Sequence, residues 1–382
     1  MEHLLSEEHK LLRDAVRTFA ETEIKPVAAK LEDDEMFSET LTKKMGEMGL
    51  FGIYVPTEFG GHGMDSLSYA IAMEELARVD GSQAATVTAH NSLGCGPLMY
   101  FGTDAQKKKY LPSLCTGEKL WSFGLTEAGA GSDCRSTKTT AKKVGDKWVI
   151  NGSKMFITNA STSMNAGITV QAKTGEKADG SPELTCFIVE AGAKGLTSKQ
   201  MHEKLMWRAS DTAEVYFDDV EVTDADILGE LGGGGRQMLK TLDSGKLGIA
   251  AMALGAAQGA YEAALAYSKE RQQFGKPIAD FQGVSFKLSD MAMKIEHART
   301  YLYSICTLRD KHIPFSKEAA MAKLFCTEMA GEVTDMAIQI HGGYGLMKEY
   351  NVERFWRDQR ILQIGEGTSE VQRIIIARNI LA

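Results

Sequence analysis

The hydrophobic pattern of this chain changes period twice, and that limits the fold more than any other feature of the sequence. Residues 1 to about 120 carry apolar side chains at helical spacing. From about 121 to 225 the apolar residues fall in short strand-like runs, and from Arg236 onward the helical spacing returns. One face of a helix and one face of a strand need different periods, so neither pattern substitutes for the other. A chain of 382 residues is also too long for one simple core. The expectation is an α+β multidomain protein: an all-helical N-terminal domain over 1–120, a central β-barrel or sandwich over 121–233, and a C-terminal four-helix bundle over 234–382.

Local signals place the elements. Ser6 can cap a first helix with Leu12, Val16 and Phe19 on one face, and Pro26 is expected to end it. A second helix is expected near Ser38 to Met48, then a glycine-rich connector over 52–63 and helices at 66–79, 81–101 and from Asp104. Two short apolar runs flank Asn151-Gly152, which predicts a hairpin turn there. Further strands are expected at 168–173, 184–190 and 213–222, and the Gly232–Gly235 run marks the next boundary. Long helices are expected at 236–269, 281–311, 316–341 and 368–381, with Ser316 capping the third and Gly342-Gly343 ending it.

A net charge of −8 argues against general binding to nucleic acid or anionic membranes, and no run of 18 apolar residues suggests a span. The six cysteines show neither CxxC spacing nor a Cys/His cluster, so no metal is expected. They read as reduced and mostly buried, in a cytoplasmic setting. The acidic start resembles neither a secretory signal nor a transit peptide; a mitochondrial matrix protein without its leader would look the same.

The stretch from Gln363 to Arg373 carries the chemistry. Glu366 stands between Gly365 and Gly367, directly before the helix-start residues Thr368 and Ser369. The flanking glycines let the backbone bring the carboxylate close to a ligand. Taken alone, such a residue is also compatible with a solvated carboxylate favoured by a helix dipole.

Two longer signatures identify a family. Gly124-Leu-Thr126-Glu127-Ala-Gly-Ala-Gly131-Ser132-Asp133 and Gln339-Ile-His-Gly342-Gly343-Tyr-Gly345, continuing to Arg354 and Asp358, resemble the acyl-CoA dehydrogenases. The resemblance runs in order along nearly the whole chain. It implies FAD held by Leu125, Thr126, Gly131, Ser132, Phe156, Ile157, Thr158, Thr368 and Glu370. It also implies that Arg271, Phe274, Gln339, Gly342 and Gly343 hold the ADP half of an FAD bound mainly by a neighbouring subunit, in a homotetramer built as two dimers. By themselves Arg271 reads as a helix-end charge and Phe156 as a core residue. The resemblance makes Glu366 the base for the α-proton of an acyl-CoA, the β-hydrogen leaving as hydride to the flavin and electrons passing on to electron-transferring flavoprotein. Ser132, Asp243, Lys246, Gly367 and Arg378 match substrate contacts.

Some members carry the base on the first bundle helix, where Gly245 stands here. A branch acting on alicyclic substrates uses an aspartate where this chain has Asn91. Gly365, Lys246, Met206 and Trp207 depart from the common pattern. The segment 88–97 resembles short-chain members, so the expected substrate is a short or compact branched or cyclic acyl-CoA. An enoyl-CoA reductase, an oxidase, and a paralogue linked to DNA are the alternatives.

Overall fold

The structure is a computed structural model that describes residues 5–381; residues 1–4, the beginning of the acidic N-terminal segment, and Ala382 lie outside it. Ser6 accepts a hydrogen bond from the His9 N–H and opens α1 (Glu7–Phe19), which buries Val16 and Phe19. Pro26 does not stop the helical run. The chain loosens into a π-helical segment over Ala20–Ile24 and continues as α2 (Lys25–Asp33), with Pro26 in the first turn. A proline N–H is dispensable there, so the ring is accommodated instead of breaking the rod.

Ser38 caps α3 (Glu39–Glu47), Asp65 caps α4 (Ser66–Ala77) and Asp80 caps α5 (Gly81–Ala89). The single helix expected over 81–101 is three pieces: α5, a π-helical segment His90–Cys95, and α6 (Gly96–Phe101). Asn91 in the π segment donates to the Leu50 and Val87 carbonyls and accepts from the Gly52 and Ile53 N–H groups. Its amide is thus fully used, three of its bonds tying this helical run to the loop at 50–53 and the fourth going back to Val87 in α5. Thr103 caps α7 (Asp104–Cys115).

The central unit is one eight-stranded sheet. Its strands are β1 (Leu120–Gly124), β2 (Thr140–Val144), β3 (Lys147–Thr158), β4 (Asn165–Glu176), β5 (Pro182–Glu190), β6 (Leu196–Gln200), β7 (Thr212–Thr223) and β8 (Ile227–Leu228). They run in the order β6-β7-β3-β2-β4-β5-β8, with β1 parallel to β4. The expected hairpin turn at Asn151-Gly152 is not there. The turn is Gly145-Asp146, where Val144 pairs with Lys147, and β3 runs straight through Asn151-Gly152. β7 pairs with β3 from Lys147 to Thr158, and this long partner needs an unbroken strand. The Asn-Gly pair is used as a bulge: the register shifts between Ile150 and Gly152, and Gly152 has φ 145.

The C-terminal unit comprises α8 (Gly234–Glu270), a short hairpin of β9 (Gln272–Gln273) and β10 (Lys276–Pro277), α9 (Gln282–Asp310), α10 (Ser316–His341), α11 (Val352–Asp358) and α12 (Ser369–Leu381). Ser316 is the first residue of α10 and not its cap; Phe315 precedes it with no side-chain capping bond. Gly342, at φ 61, ends α10. α8 packs against α9, α10 and α4, and α4 also touches α9. The two helical units therefore share one core, reaching from Val16 through Met73 and Leu254 to Leu362.

Candidate active site

Glu366 lies in the turn between α11 and α12, at φ 52, followed by Gly367 at φ 95. A non-glycine residue in this left-handed region costs about 1–3 kcal/mol and persists only where the surroundings demand it. Thr368 accepts from the Val371 N–H and opens α12. Gln372 holds the turn from below by donating to the Glu366 carbonyl at 3.2 Å and the Gly367 carbonyl at 2.8 Å. Lys323 of α10 donates to the same Gly367 oxygen at 2.7 Å.

The residue as a whole is half-buried, but Oε2 of its carboxyl group is withdrawn from water and has no hydrogen-bond partner. Burial pushes the carboxyl up to about 7, against the pull of Lys323 and Lys246. Among the described residues the Glu366 N–H also donates to no acceptor. A carboxylate and an N–H are therefore held side by side with nothing to bond, as if kept for a ligand.

Gly245 of α8 explains how the carboxylate fits. A Cβ at this position would lie 2.0 Å from Glu366 Oε2. The space beside Gly245 is thus filled by the Glu366 carboxyl, which comes from the turn before α12. One turn on, a Cβ at Gly248 would meet the Tyr69 hydroxyl at 2.5 Å. Burial raises that phenol above its ordinary range, and the charge of Glu366 raises it further. Tyr100 bonds Ser244 at 2.7 Å and accepts from Arg309 at 2.9 Å. Lys246 is buried and paired with Asp243. Gly365 faces open space: a Cβ there would touch only Ile361, at ordinary contact distance.

A second group of predicted residues lies on the sheet. Phe156, at φ 61, is 60% exposed despite being a large aromatic within β3. The register shift between Lys154 and Ile157 turns it outward. The Met155 N–H donates to the Thr126 carbonyl at 2.9 Å, which sets the 125–132 loop beside this bulge. Gly131 and Ser132 are exposed, and a Cβ at Gly131 would meet nothing within 4 Å. An outward aromatic beside an open glycine loop, with Thr126 and Thr158 half-buried alongside, suits a flat ring bearing polar edges. Under the loop Lys154, fully buried, bonds Glu127 at 2.7 Å and the Leu125 carbonyl at 3.3 Å. Lys154→Met should destabilise the protein by about 3–5 kcal/mol, because it strands the buried Glu127 charge. Thermal melting reads this; an unchanged Tm would mean the pair is dispensable.

The third group is remote. Arg271 caps the C-terminal end of α8, with its guanidinium over the Tyr344 ring at 5.3 Å, near exposed Gly342 and Gly343. Phe274, at φ 53, is 92% exposed, and Gln339 is exposed. At 1.5 Å per residue, Arg271 lies about 39 Å along α8 from Gly245. These residues do not join Glu366 within one chain. Arg378 is exposed on α12, and Glu370 is exposed in its first turn. Trp207, one of the departures, packs by Gly81 and takes a bond from its backbone N–H to Asp358. It serves as packing between the sheet, α5 and α11.

Sequence reasoning missed Lys323, Tyr69 and Arg309. A signal for Lys323 was present: it falls in the stripe Ala319, Ala320, Ala322, Cys326, Thr327, Ala330, where helical spacing demands an apolar residue.

Comparison with known proteins bears on the same chain from outside. Three family models match it in order: the acyl-CoA dehydrogenase N-terminal domain over 6–118, the middle domain over 122–220 and the C-terminal domain over 232–381. It is 48% identical over 377 residues to a probable acyl-CoA dehydrogenase, YngJ, of Bacillus subtilis, covering 99% of each chain. It is 42% identical to the caffeyl-CoA reductase-Etf complex subunit CarC of Acetobacterium woodii, covering 98% of this chain and 99% of that one. The solved butyryl-CoA dehydrogenase of Megasphaera elsdenii superposes with a TM-score of 0.95 at 40% identity, covering 99% of both. With its length spanned by the three matched domains and this level of identity, the chain belongs to the acyl-CoA dehydrogenase family of FAD-dependent oxidoreductases.

Proposed function

We propose that this protein dehydrogenates a short or compact branched or cyclic acyl-CoA to the 2-enoyl-CoA, with Glu366 taking the α-proton. The observation that carries this is the buried carboxylate whose Oε2 bonds nothing and whose position is set by Gly245. An α-proton of a thioester needs a base that is desolvated yet still ionised near neutrality. Burial supplies the first condition, and Lys323 and Lys246 supply the second. The free Glu366 N–H can donate to the thioester oxygen as negative charge develops on it. Bound FAD would supply the hydride acceptor for the β-hydrogen. Leu125, Thr126, Gly131, Ser132, Phe156, Ile157 and Thr158, with Thr368 and Glu370, would hold it. Ser132, Asp243, Lys246, Gly367 and Arg378 would line the path of the CoA portion.

The short acyl chain is supported by Tyr69, whose ring stands beside Gly248, one turn beyond the base. The relative named as a butyryl-CoA dehydrogenase supports it too. A second copy of the chain is supported by the distance along α8, which sets Arg271 and the Gly342-Gly343 turn beside it far from Glu366; a homotetramer built as two dimers goes with this reading. Electron-transferring flavoprotein is the proposed acceptor, supported by the relative named as part of an Etf complex. That same relative, a reductase, favours one second reading: the reverse reaction in the cell. Among the described residues no helix is long and apolar enough to cross a membrane. A cytoplasmic location goes with this reading, supported by six free cysteines.

Anaerobic titration of the flavin-loaded protein with butyryl-, isobutyryl-, cyclohexanecarboxyl-, octanoyl- and palmitoyl-CoA tests the reading. The first three should bleach the flavin faster than the last, and a preference for palmitoyl-CoA would overturn the short-chain assignment. Bleaching should speed up as pH rises through about 7, because Glu366 accepts a proton only when ionised. A rate that falls over the same range would exclude a carboxylate base.

A further inference from the structure

We propose that Lys323 is a positioning residue for the reaction: from α10 it holds the Glu366-Gly367 turn and supplies the positive charge that keeps Glu366 ionised. The inference rests on Glu366 being the base.

Lys323 is fully buried in the bundle, and among the described residues it pairs with no carboxylate. Its one hydrogen bond goes to the Gly367 carbonyl. That oxygen already receives a bond from Gln372, so a neutral donor would suffice to hold the turn. A lysine desolvated this far is costly unless its charge is used. What the charge faces is the unpartnered carboxyl of Glu366.

The other groups around the pair do not replace it. From α8, Lys246 also faces Glu366, but Asp243 neutralises much of its field. From α4, Tyr69 adds a phenol that burial keeps protonated. Around Lys323 itself stand Glu366, Lys246, Glu328 and Glu370. Glu328 bonds the Ser369 hydroxyl and pairs with Arg373, and Glu370 is exposed. Lys323 is thus the one unpaired buried cation beside the base among the described residues. Burial brings it down to about 8, so it remains largely protonated at the pH where Glu366 works.

The test compares single-turnover flavin bleaching by butyryl-CoA across pH 5.5–9.5, a range of about four units chosen to span both groups. Wild-type, Lys323→Gln and Lys323→Arg holoenzymes are measured, with Glu366→Gln in parallel. Glutamine keeps a donor for the Gly367 oxygen but loses the charge. Its inflection should move up by about one to two units, with about a tenfold or larger loss at pH 7 and recovery at high pH. Lys323→Arg should keep the wild-type inflection. An unmoved inflection in Lys323→Gln, or a loss that is equal at every pH, would overturn the proposal. A Lys323→Gln protein that cannot be folded with flavin would also count against it, by making the residue a requirement of the fold. Normal turnover by Glu366→Gln would instead sink the assignment of the base, so the two failures are distinguishable.

Discussion

Glu366→Gln is expected to abolish flavin reduction by acyl-CoA, with a loss on the order of 10²–10⁴-fold or more, while the protein stays yellow and still binds acyl-CoA. Glutamine has nearly the same shape but no basic oxygen. Because Oε2 has no partner, the exchange breaks no hydrogen bond. Stability should move in the opposite direction from activity. The carboxyl titrates at about 7 in the fold against 4.5 in a free chain. Between these values the folded state binds the proton more tightly than the unfolded state, so stability falls as pH rises through the window. Above pH 7 the full penalty applies, on the order of 3 kcal/mol, and glutamine removes it. The variant should therefore melt higher than wild type at pH 8, with the difference vanishing near pH 4.5. A variant that retains turnover would mean that another group takes the proton.

Gly245→Ala should separate activity from stability just as sharply. Alanine is favoured over glycine within a helix by about 1 kcal/mol, so α8 itself gains. The added carbon, however, would lie 2.0 Å from Oε2 and 2.9 Å from Cδ of Glu366. The cheapest relief is to swing the end of the glutamate side chain, which has no bond to lose. The fold then survives, but the carboxylate leaves its place, and a displacement of about 1 Å can cost about 10²-fold in rate. The expected result is an unchanged or raised Tm with about a hundredfold slower bleaching. A rate equal to wild type would show that the carboxylate is not held against α8.

The two variants probe one contact from both ends. Glu366, in the turn before α12, and Gly245, on α8, lie far apart in the chain, and neither residue announces the other in sequence. The same holds for the hairpin at Gly145-Asp146. Both Gly145-Asp146 and Asn151-Gly152 suit a tight turn by composition. What chose between them was β7, a strand some sixty residues later that pairs along the whole of β3. Pro26 was misread for a related reason: the π segment before it had already loosened the ladder that a proline would otherwise break.

Local features were legible because local sterics and side-chain periodicity cause them. The helical–β–helical order, the caps at Ser6 and Thr368, and the glycines around Glu366 all belong to this class. The long signatures were legible because many positions recur together at set spacing. Tertiary structure alone decided the rest. It merged the two helical units into one core through α8, spent the amide of Asn91 on backbone groups, turned Phe156 outward at a bulge, and set Lys323 under the turn of Glu366. A charge in the middle of an apolar stripe is visible in sequence, but its partner is not. The proton affinity of Glu366 depends on which groups surround it and how little water reaches it, and those are properties of segments brought together only when the chain has folded.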